Sequence, residues 1–311
     1  DIHCLYVVGG NYLNTGSDIT KNVRAFKKAD FSVCHELFMT PTAQYCDVVL
    51  PVTSYLERED VVFPADNSVF YTAKAADPVG ASRNDYDIFA ELAHRLGFGD
   101  AFTGGRTASQ WLERFIDESE IDDVESFRRT GMYNRPERDR VAFADFVKDP
   151  VGTPLGTPSG LIEISSPSYA ETGFPPYPTA RGFRPSVAYP LYLISPHGRY
   201  RINSQNSNDP RFSQREPPEL TIHTEDARER GITDGSTVLV SNDRGSVAAP
   251  VRVTDAIMLG VVCLPAGAWT VVDENGIGRG GSPNMVTSTE PTLPSHGSRT
   301  HAVGVQVQPL G

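Results

Sequence analysis

Leu5-Tyr-Val-Val-Gly-Gly-Asn11 sets the fold class: four apolar residues in a row stop at two glycines and an asparagine. Such a run, bounded by glycine, reads as a strand buried in a sheet. Its surroundings repeat the pattern. Ser17 and Asp18 are cap candidates for a helix from Ile19 to Lys28, whose Ile19, Val23 and Phe26 share a face. Phe31-Ser-Val-Cys34 and Asp47-Val-Val-Leu-Pro51 read as two more strands, with Thr40-Pro41 opening a short helix between them. Asp85 to Leu96 places Ile88, Phe89, Leu92 and Leu96 on one face and is closed by Gly97. Strands alternating with helices predict an α/β domain over residues 1–100, with a parallel sheet covered on both faces. Ligands of such sheets lie at the carboxyl ends of the strands. Gly9-Gly10-Asn11 and His35-Glu36 fall there.

The remainder has a different texture. Ala108 to Glu118 has a helical face of Trp111, Leu112 and Phe115, and Pro150 to Pro185 is rich in Pro, Gly and Ser, with one strand at Leu161-Ile-Glu-Ile164. Residues 101–185 read as a connecting and covering segment. From 186 to 311 short strands dominate. Thr237-Val-Leu-Val240 and Val247 to Val253 flank a turn at Asn242-Asp-Arg-Gly245, and Gly260 to Pro265 and Ala302 to Val307 read as further strands. One helix interrupts them, Glu225 to Arg230, capped by Thr224. This predicts an all-β barrel domain with a helix.

The barrel segment contains a second decisive stretch, Ser195-Pro-His-Gly-Arg-Tyr-Arg-Ile-Asn-Ser-Gln-Asn-Ser-Asn208, after the strand-like Tyr192-Leu-Ile194. His197, Arg199, Arg201, Asn203, Ser204, Gln205 and Asn206 are hydrogen-bond donors, and no carboxylate interrupts them until Asp209. A donor-rich, acid-free loop at a strand end suits a phosphate or pyrophosphate. A solvated polar loop is the competing reading. The polypeptide as a whole carries net charge -11, which argues against a nucleic-acid partner. Its apolar runs are too short for a membrane-spanning helix. Cys4, Cys34, Cys46 and Cys263 match no zinc or iron–sulfur spacing, and the first three, beside apolar runs, are expected to be buried free thiols. The sequence begins at Asp1 on the edge of a strand, so a fragment or processed product of a longer polypeptide is expected.

In order, the blocks Gly9-Gly10-Asn11, His35-Glu-Leu-Phe-Met-Thr-Pro-Thr-Ala43, Leu56-Glu-Arg-Glu-Asp60, Thr157-Pro-Ser-Gly-Leu-Ile-Glu-Ile164, Ser195 to Asn208, Arg230-Gly-Ile-Thr-Asp-Gly235, Asn242 to Gly245, Pro265-Ala-Gly-Ala-Trp269, Gly280-Gly-Ser-Pro-Asn284 and Arg299-Thr-His301 span nearly the whole sequence. Together they resemble the C-terminal part of the molybdopterin oxidoreductases of the dimethyl sulfoxide reductase family. The Glu57-Arg-Glu-Asp60 ending and the Gly280 to Asn284 tail look most like the branch of the anaerobic dimethyl sulfoxide reductase catalytic subunits. Formate dehydrogenases and periplasmic nitrate reductases usually carry a glycine near Asp60, which this chain lacks.

The resemblance implies an oxidoreductase holding two molybdopterin guanine dinucleotides around one molybdenum (or tungsten). It implies an α/β nucleotide-binding domain ending near residue 100 and a double-psi-type barrel from 186 to 311 that caps the cofactor. Candidate pyrophosphate donors are Ser195, His197, the Gly198 backbone, Arg199, Arg201, Ser204 and Gln205. Glu36 matches the family's acidic guanine reader, usually Asp; Gly9, Gly10 and Asn11 approach the nucleotide; and Asn284 and Arg299 match cofactor-touching positions. No catalytic residue and no metal ligand is expected in this chain, because the protein ligand to molybdenum and the iron–sulfur motif belong to upstream sequence. The implied partners are the N-terminal remainder of the catalytic subunit, an iron–sulfur electron-transfer subunit with a membrane anchor, and a small S-oxide or N-oxide substrate. A periplasmic or other extracytoplasmic, membrane-associated location is implied. The alternatives are a non-redox hydratase or transhydroxylase on the same scaffold, and a non-catalytic assembly module.

Overall fold

The computed structural model describes residues 2–64, 67–136, 141–177, 179, 185–292, 297–298, 300–301 and 303–310. The chain forms two compact units: Asp1–Leu50 together with Gly182–Gly311, and Pro51–Arg181. The unit boundaries thus fall near 50 and 182, where the sequence pattern placed domain boundaries near 100 and 185.

The first unit opens with β1 (Cys4–Val8), β2 (Phe31–Glu36) and β3 (Val48–Pro51), ordered β1-β2-β3. β1 and β2 run parallel, in register from Cys4↔Phe31 to Val8↔His35. The connecting helix Ile19–Phe26 is capped by the Asp18 carboxylate, which accepts from Lys21 N at 3.0 Å. β2 is central and mostly buried, but β1 is an outer strand with alternate residues exposed. Cys4 is therefore exposed, contrary to expectation, while Cys34 is buried and Cys46 half-buried.

Asp47 fastens the start of β3 to β2. Its carboxylate accepts from Ser32 N and Ser32 Oγ, both at 2.8 Å. The Ser32 hydroxyl and N–H hold the Asp47 carboxyl below its ordinary value. A depressed carboxyl stabilises the folded state above its unfolded value of about 4, and that stabilisation is lost as pH falls through the folded value. The thermal midpoint of the Asp47→Asn variant is expected to fall less on acidification than that of the parent, as scanning calorimetry across the acid range would read.

In the second unit, β4 (Asp60–Val62), β5 (Ser68–Thr72) and β6 (Met132–Asn134) form an antiparallel sheet in the order β4-β5-β6. One face packs on helices Ala108–Asp117 and Val124–Thr130 through Val69, Ile116, Ile121 and Phe127. Thr107 and Gln110 form a reciprocal capping box at the start of the first of these helices. Leu161–Ile164 is not a strand. Among the described residues no strand pairs with it, and Ile164 is 86% exposed.

The first unit continues with β7 (Leu191–Ile194), β8 (Leu220–Ile222), β9 (Thr237–Ser241), β10 (Ser246–Val253), β11 (Val261–Cys263), β12 (Val271–Val272), β13 (Ile277–Arg279) and β14 (Val303–Pro309). Six of these close a barrel in the order β10-β8-β11-β7-β14-β9, with β9 returning to pair with β10. The β10–β8 and β11–β7 pairings are parallel and the other four antiparallel. The interior is filled by Leu193, Leu220, Ile222, Val238, Val262, Leu264 and their neighbours, all fully buried. Ile19 belongs to the same core as Met285 and Val286, so the first fifty residues and the barrel share one interior. The helix is Thr224–Glu229, and its cap is His223, not Thr224: the ring Nδ1 accepts from Glu225 N at 3.1 Å. Among the described residues no helix is long and apolar enough to cross a membrane.

Candidate functional site

The carboxyl ends of β1 and β2 carry one polar network. Gly9 N donates to His35 O at 3.2 Å. Gly9 has φ +57° and open space where a Cβ would stand, so the backbone turns there without strain and leaves its outer side accessible. Asn11 Oδ1 accepts from Thr42 N (3.2 Å) and Thr42 Oγ1 (3.0 Å), and Thr42 Oγ1 in turn accepts from Leu13 N (3.0 Å). The Glu36 carboxylate accepts from Leu37 N (2.9 Å) and Thr40 Oγ1 (3.4 Å). Asn14, 1% exposed, accepts at Oδ1 from Thr270 N at 3.0 Å. A backbone N–H donor to each Oδ1 fixes the orientation of both amides. The Nδ2 groups of Asn11 and Asn14 are consequently buried donors with no protein acceptor. Buried polar groups are paired in the great majority of cases, so two such orphans three residues apart mark a place where an acceptor belongs.

The loop after β7 is tied down at both ends and in the middle. Ser195 N donates to His301 Nδ1 (3.2 Å) and Ser195 Oγ to Thr300 O (2.8 Å). His197 makes a β-bridge with Ala266. At the far end Trp269 Nε1 donates to Ser204 O (2.7 Å) and Trp269 N to Ser207 Oγ (2.9 Å). In the middle, Glu216 collects the donors: its carboxylate accepts from Arg199 N (2.8 Å) and Tyr200 N (3.2 Å), and Arg201 Nη1 lies 3.5 Å away. Arg201 Nη2 donates to the Glu216 carbonyl. The Arg201 side chain is 2% exposed, and its Nε is buried without a partner. Burial pushes its guanidinium down from the ordinary value, with Glu216 opposing. His197, Arg199 and Gln205 are exposed.

The strap Gly267–Thr270 connects the two clusters. Trp269 holds the loop, and the next residue, Thr270, donates to Asn14 just beyond β1. The structure therefore brings Asn11 and Ser195–Gln205 into one linked network, and Gly9 and Glu36 flank it. The Asn284 amide is hydrogen-bonded within the protein: Nδ2 donates to Asn14 O (2.9 Å) and Thr15 O (3.2 Å), and Oδ1 accepts from Thr287 Oγ1 (3.0 Å). It ties the barrel to the turn after β1. Arg299 lies outside the described residues. Asn284→Ala would leave the buried Asn14 carbonyl unpaired, with the Thr15 carbonyl losing a bond beside it, and is expected to cost about 1–3 kcal/mol, read as a lowered urea midpoint.

Asn14, Thr42 and Glu216 do not stand out in the sequence. Asn14 carries a faint signal, as a second asparagine three residues after Asn11 on a short helix. Glu216 carries none, because the loop it closes ends well before it. Within the second unit, a cleft of about 430 Å³ is lined by Thr53, Arg58, Ser82, Arg83 and Asn84 among others. Arg58 is part of the quoted Leu56 to Asp60 block, and here its Nη1 donates to Thr53 O at 2.6 Å. Among the described residues, no group of three or more His, Cys, Asp or Glu side chains is placed to hold a metal ion.

Residues 1–95 match the family described as molybdopterin oxidoreductase, and residues 191–303 match the molydopterin dinucleotide binding domain. The dimethyl sulfoxide/trimethylamine N-oxide reductase of Rhodobacter capsulatus is 36% identical over 295 residues, covering 86% of this chain and 36% of that protein. The dimethyl sulfoxide reductase DmsA of Escherichia coli (strain K12) is 31% identical over 99% of this chain and 42% of its own length. The chain thus spans less than half the length of these curated relatives. Among solved structures, acetylene hydratase from Pelobacter acetylenicus superposes with a TM-score of 0.78 over 99% of this chain and 44% of that one, at 21% identity, which establishes a shared fold.

Proposed function

This chain belongs to the molybdopterin oxidoreductase family, and from that membership we propose that it is the cofactor-gripping part of a reductase acting on an S-oxide or N-oxide. The family's cofactor is molybdopterin guanine dinucleotide with molybdenum. The observation that carries the proposal is that three of the buried polar groups without protein partners, Asn11 Nδ2, Asn14 Nδ2 and Arg201 Nε, lie on segments joined by Trp269 and Thr270. Phosphate oxygens are acceptors of the matching kind. We assign the exposed His197, Arg199 and Gln205 to the pyrophosphate, and Glu36 to the guanine edge, where its carboxylate has lone pairs to spare after Leu37 and Thr40.

When bound, the metal and its pterins supply the oxygen-atom and electron transfer. This chain's residues bind, orient and shield. The barrel gives a rigid support, the polar networks fix the donors before ligand arrives, and no residue described here is assigned to the reacting atoms. We read the two parallel pairings in the barrel as the double-psi arrangement. We further propose that the remainder of the catalytic polypeptide completes the cradle, with an electron-transfer subunit, a membrane anchor and an extracytoplasmic location for the assembly. The names of the relatives support S-oxide and N-oxide substrates. The likeness to the hydratase bears on fold, and no observation favours hydration over reduction. The test is to purify the intact enzyme from its source, measure molybdenum and pterin, and assay reduction of dimethyl sulfoxide and trimethylamine N-oxide with a reduced dye. A protein with metal and pterin that reduces neither, yet hydrates an alkyne, would refute the reductase reading. A properly matured protein without molybdenum, tungsten or pterin would refute cofactor binding.

A further inference from the structure

We propose that Glu216 is the positioning residue of the loop after β7: an internal carboxylate that fills the loop's anion nest and so decides which donors remain for the cofactor. The proposal deepens the reading above and rests on it.

Three consecutive residues converge on Glu216. Arg199 N and Tyr200 N reach its two carboxylate oxygens at 2.8 and 3.2 Å, and Arg201 approaches with Nη1 at 3.5 Å while Nη2 takes the Glu216 carbonyl. A concave run of backbone N–H groups beside a guanidinium is the usual receptor for a phosphate. Here a carboxylate of the same polypeptide holds it. A Cβ at Gly198 would overlap the same carboxylate oxygen, so the glycine admits the close approach.

The consequence is a sorting of donors. The Arg199 and Tyr200 N–H groups and two of the Arg201 nitrogens serve the loop itself. Arg201 Nε and the exposed side chains of His197, Arg199 and Gln205 are left over. The Arg201 guanidinium is nearly fully buried, and Glu216 is its counter-charge, 22% exposed. Without that counter-charge a buried cation would stand unpaired and the middle of the loop would lose its anchor. The loop's ends are already held by His301, Thr300 and Trp269. Glu216 therefore sets the direction in which Arg199 is presented.

The experiment compares Glu216→Ala, Glu216→Asp and Glu216→Gln in the full-length enzyme, reading molybdenum and pterin per polypeptide after gel filtration, and the thermal midpoint. Glu216→Ala is expected to lower cofactor retention on the order of tenfold or more. Glu216→Asp, or formate added to Glu216→Ala, is expected to restore much of it, because either returns a carboxylate to the nest; the neutral Glu216→Gln is expected to restore less. Full retention in Glu216→Ala beside a loaded parent overturns the proposal. So does a loss accompanied by a collapsed midpoint that neither aspartate nor formate repairs, since that is general support of the fold. A parent enzyme that holds no pterin at all would instead overturn the cofactor reading.

Discussion

Gly267→Ala is expected to destabilise the first unit by about 4 kcal/mol, backbone strain and steric overlap each costing roughly 1–3 kcal/mol. Gly267 has φ +104°, a conformation that L side chains rarely adopt. An added Cβ would overlap the carbonyl oxygen of Asn203 and stand 3.4 Å from Arg201 Cδ. Asn203 is itself left-handed, with φ +52°, inside the Ile202–Gln205 turn, so that carbonyl has little freedom to withdraw. The displacement would pass straight into the loop that Glu216 and Trp269 hold. The expected result is a fall in the urea midpoint together with loss of bound pterin from the intact enzyme. An unchanged midpoint would show that the loop moves aside freely and that its strap is not rigid.

Trp269→Ala is expected to cost about 3 kcal/mol, the lower end for removing a large ring from packed surroundings. The ring's Nε1 also holds Ser204 O, and its own backbone precedes the Thr270 N–H that holds Asn14. Trp269→Phe separates the two contributions: it keeps most of the ring and forfeits only the bond to Ser204, worth about 1 kcal/mol. Equal losses for the two variants would assign the effect to the hydrogen bond. A loss confined to Trp269→Ala would assign it to packing.

What could be read from sequence was local. β1, β2 and β3, the helix Ile19–Phe26 and the β9–β10 hairpin follow from apolar runs punctuated by Gly, Pro and Asp within a few residues, and each lies within a residue or two of its expected place. Barrel closure was out of reach in detail, because β14 meets β9 across more than sixty intervening residues and no local pattern encodes that pairing. β4, β5 and β6 were missed because two of them have only three residues, too few to show alternation. Leu161-Ile-Glu-Ile164 misled for the opposite reason, an apolar run with no strand beside it. At the site, the donor loop was recognisable as rich in donors, but which of them are free depends on Glu216 and Trp269, both remote in sequence. The bonds of Asn284 to the turn after β1 are likewise long-range in sequence and left no local signal.

The first unit is discontinuous: its two pieces are separated by the whole of Pro51–Arg181. At about 5–20 residues per second, a ribosome needs roughly 7–26 s to make the intervening 131 residues. During that interval Ile19, buried in the finished protein, has no barrel core to enter. The apolar faces that the first fifty residues share with the barrel therefore stay uncovered until translation has passed β14.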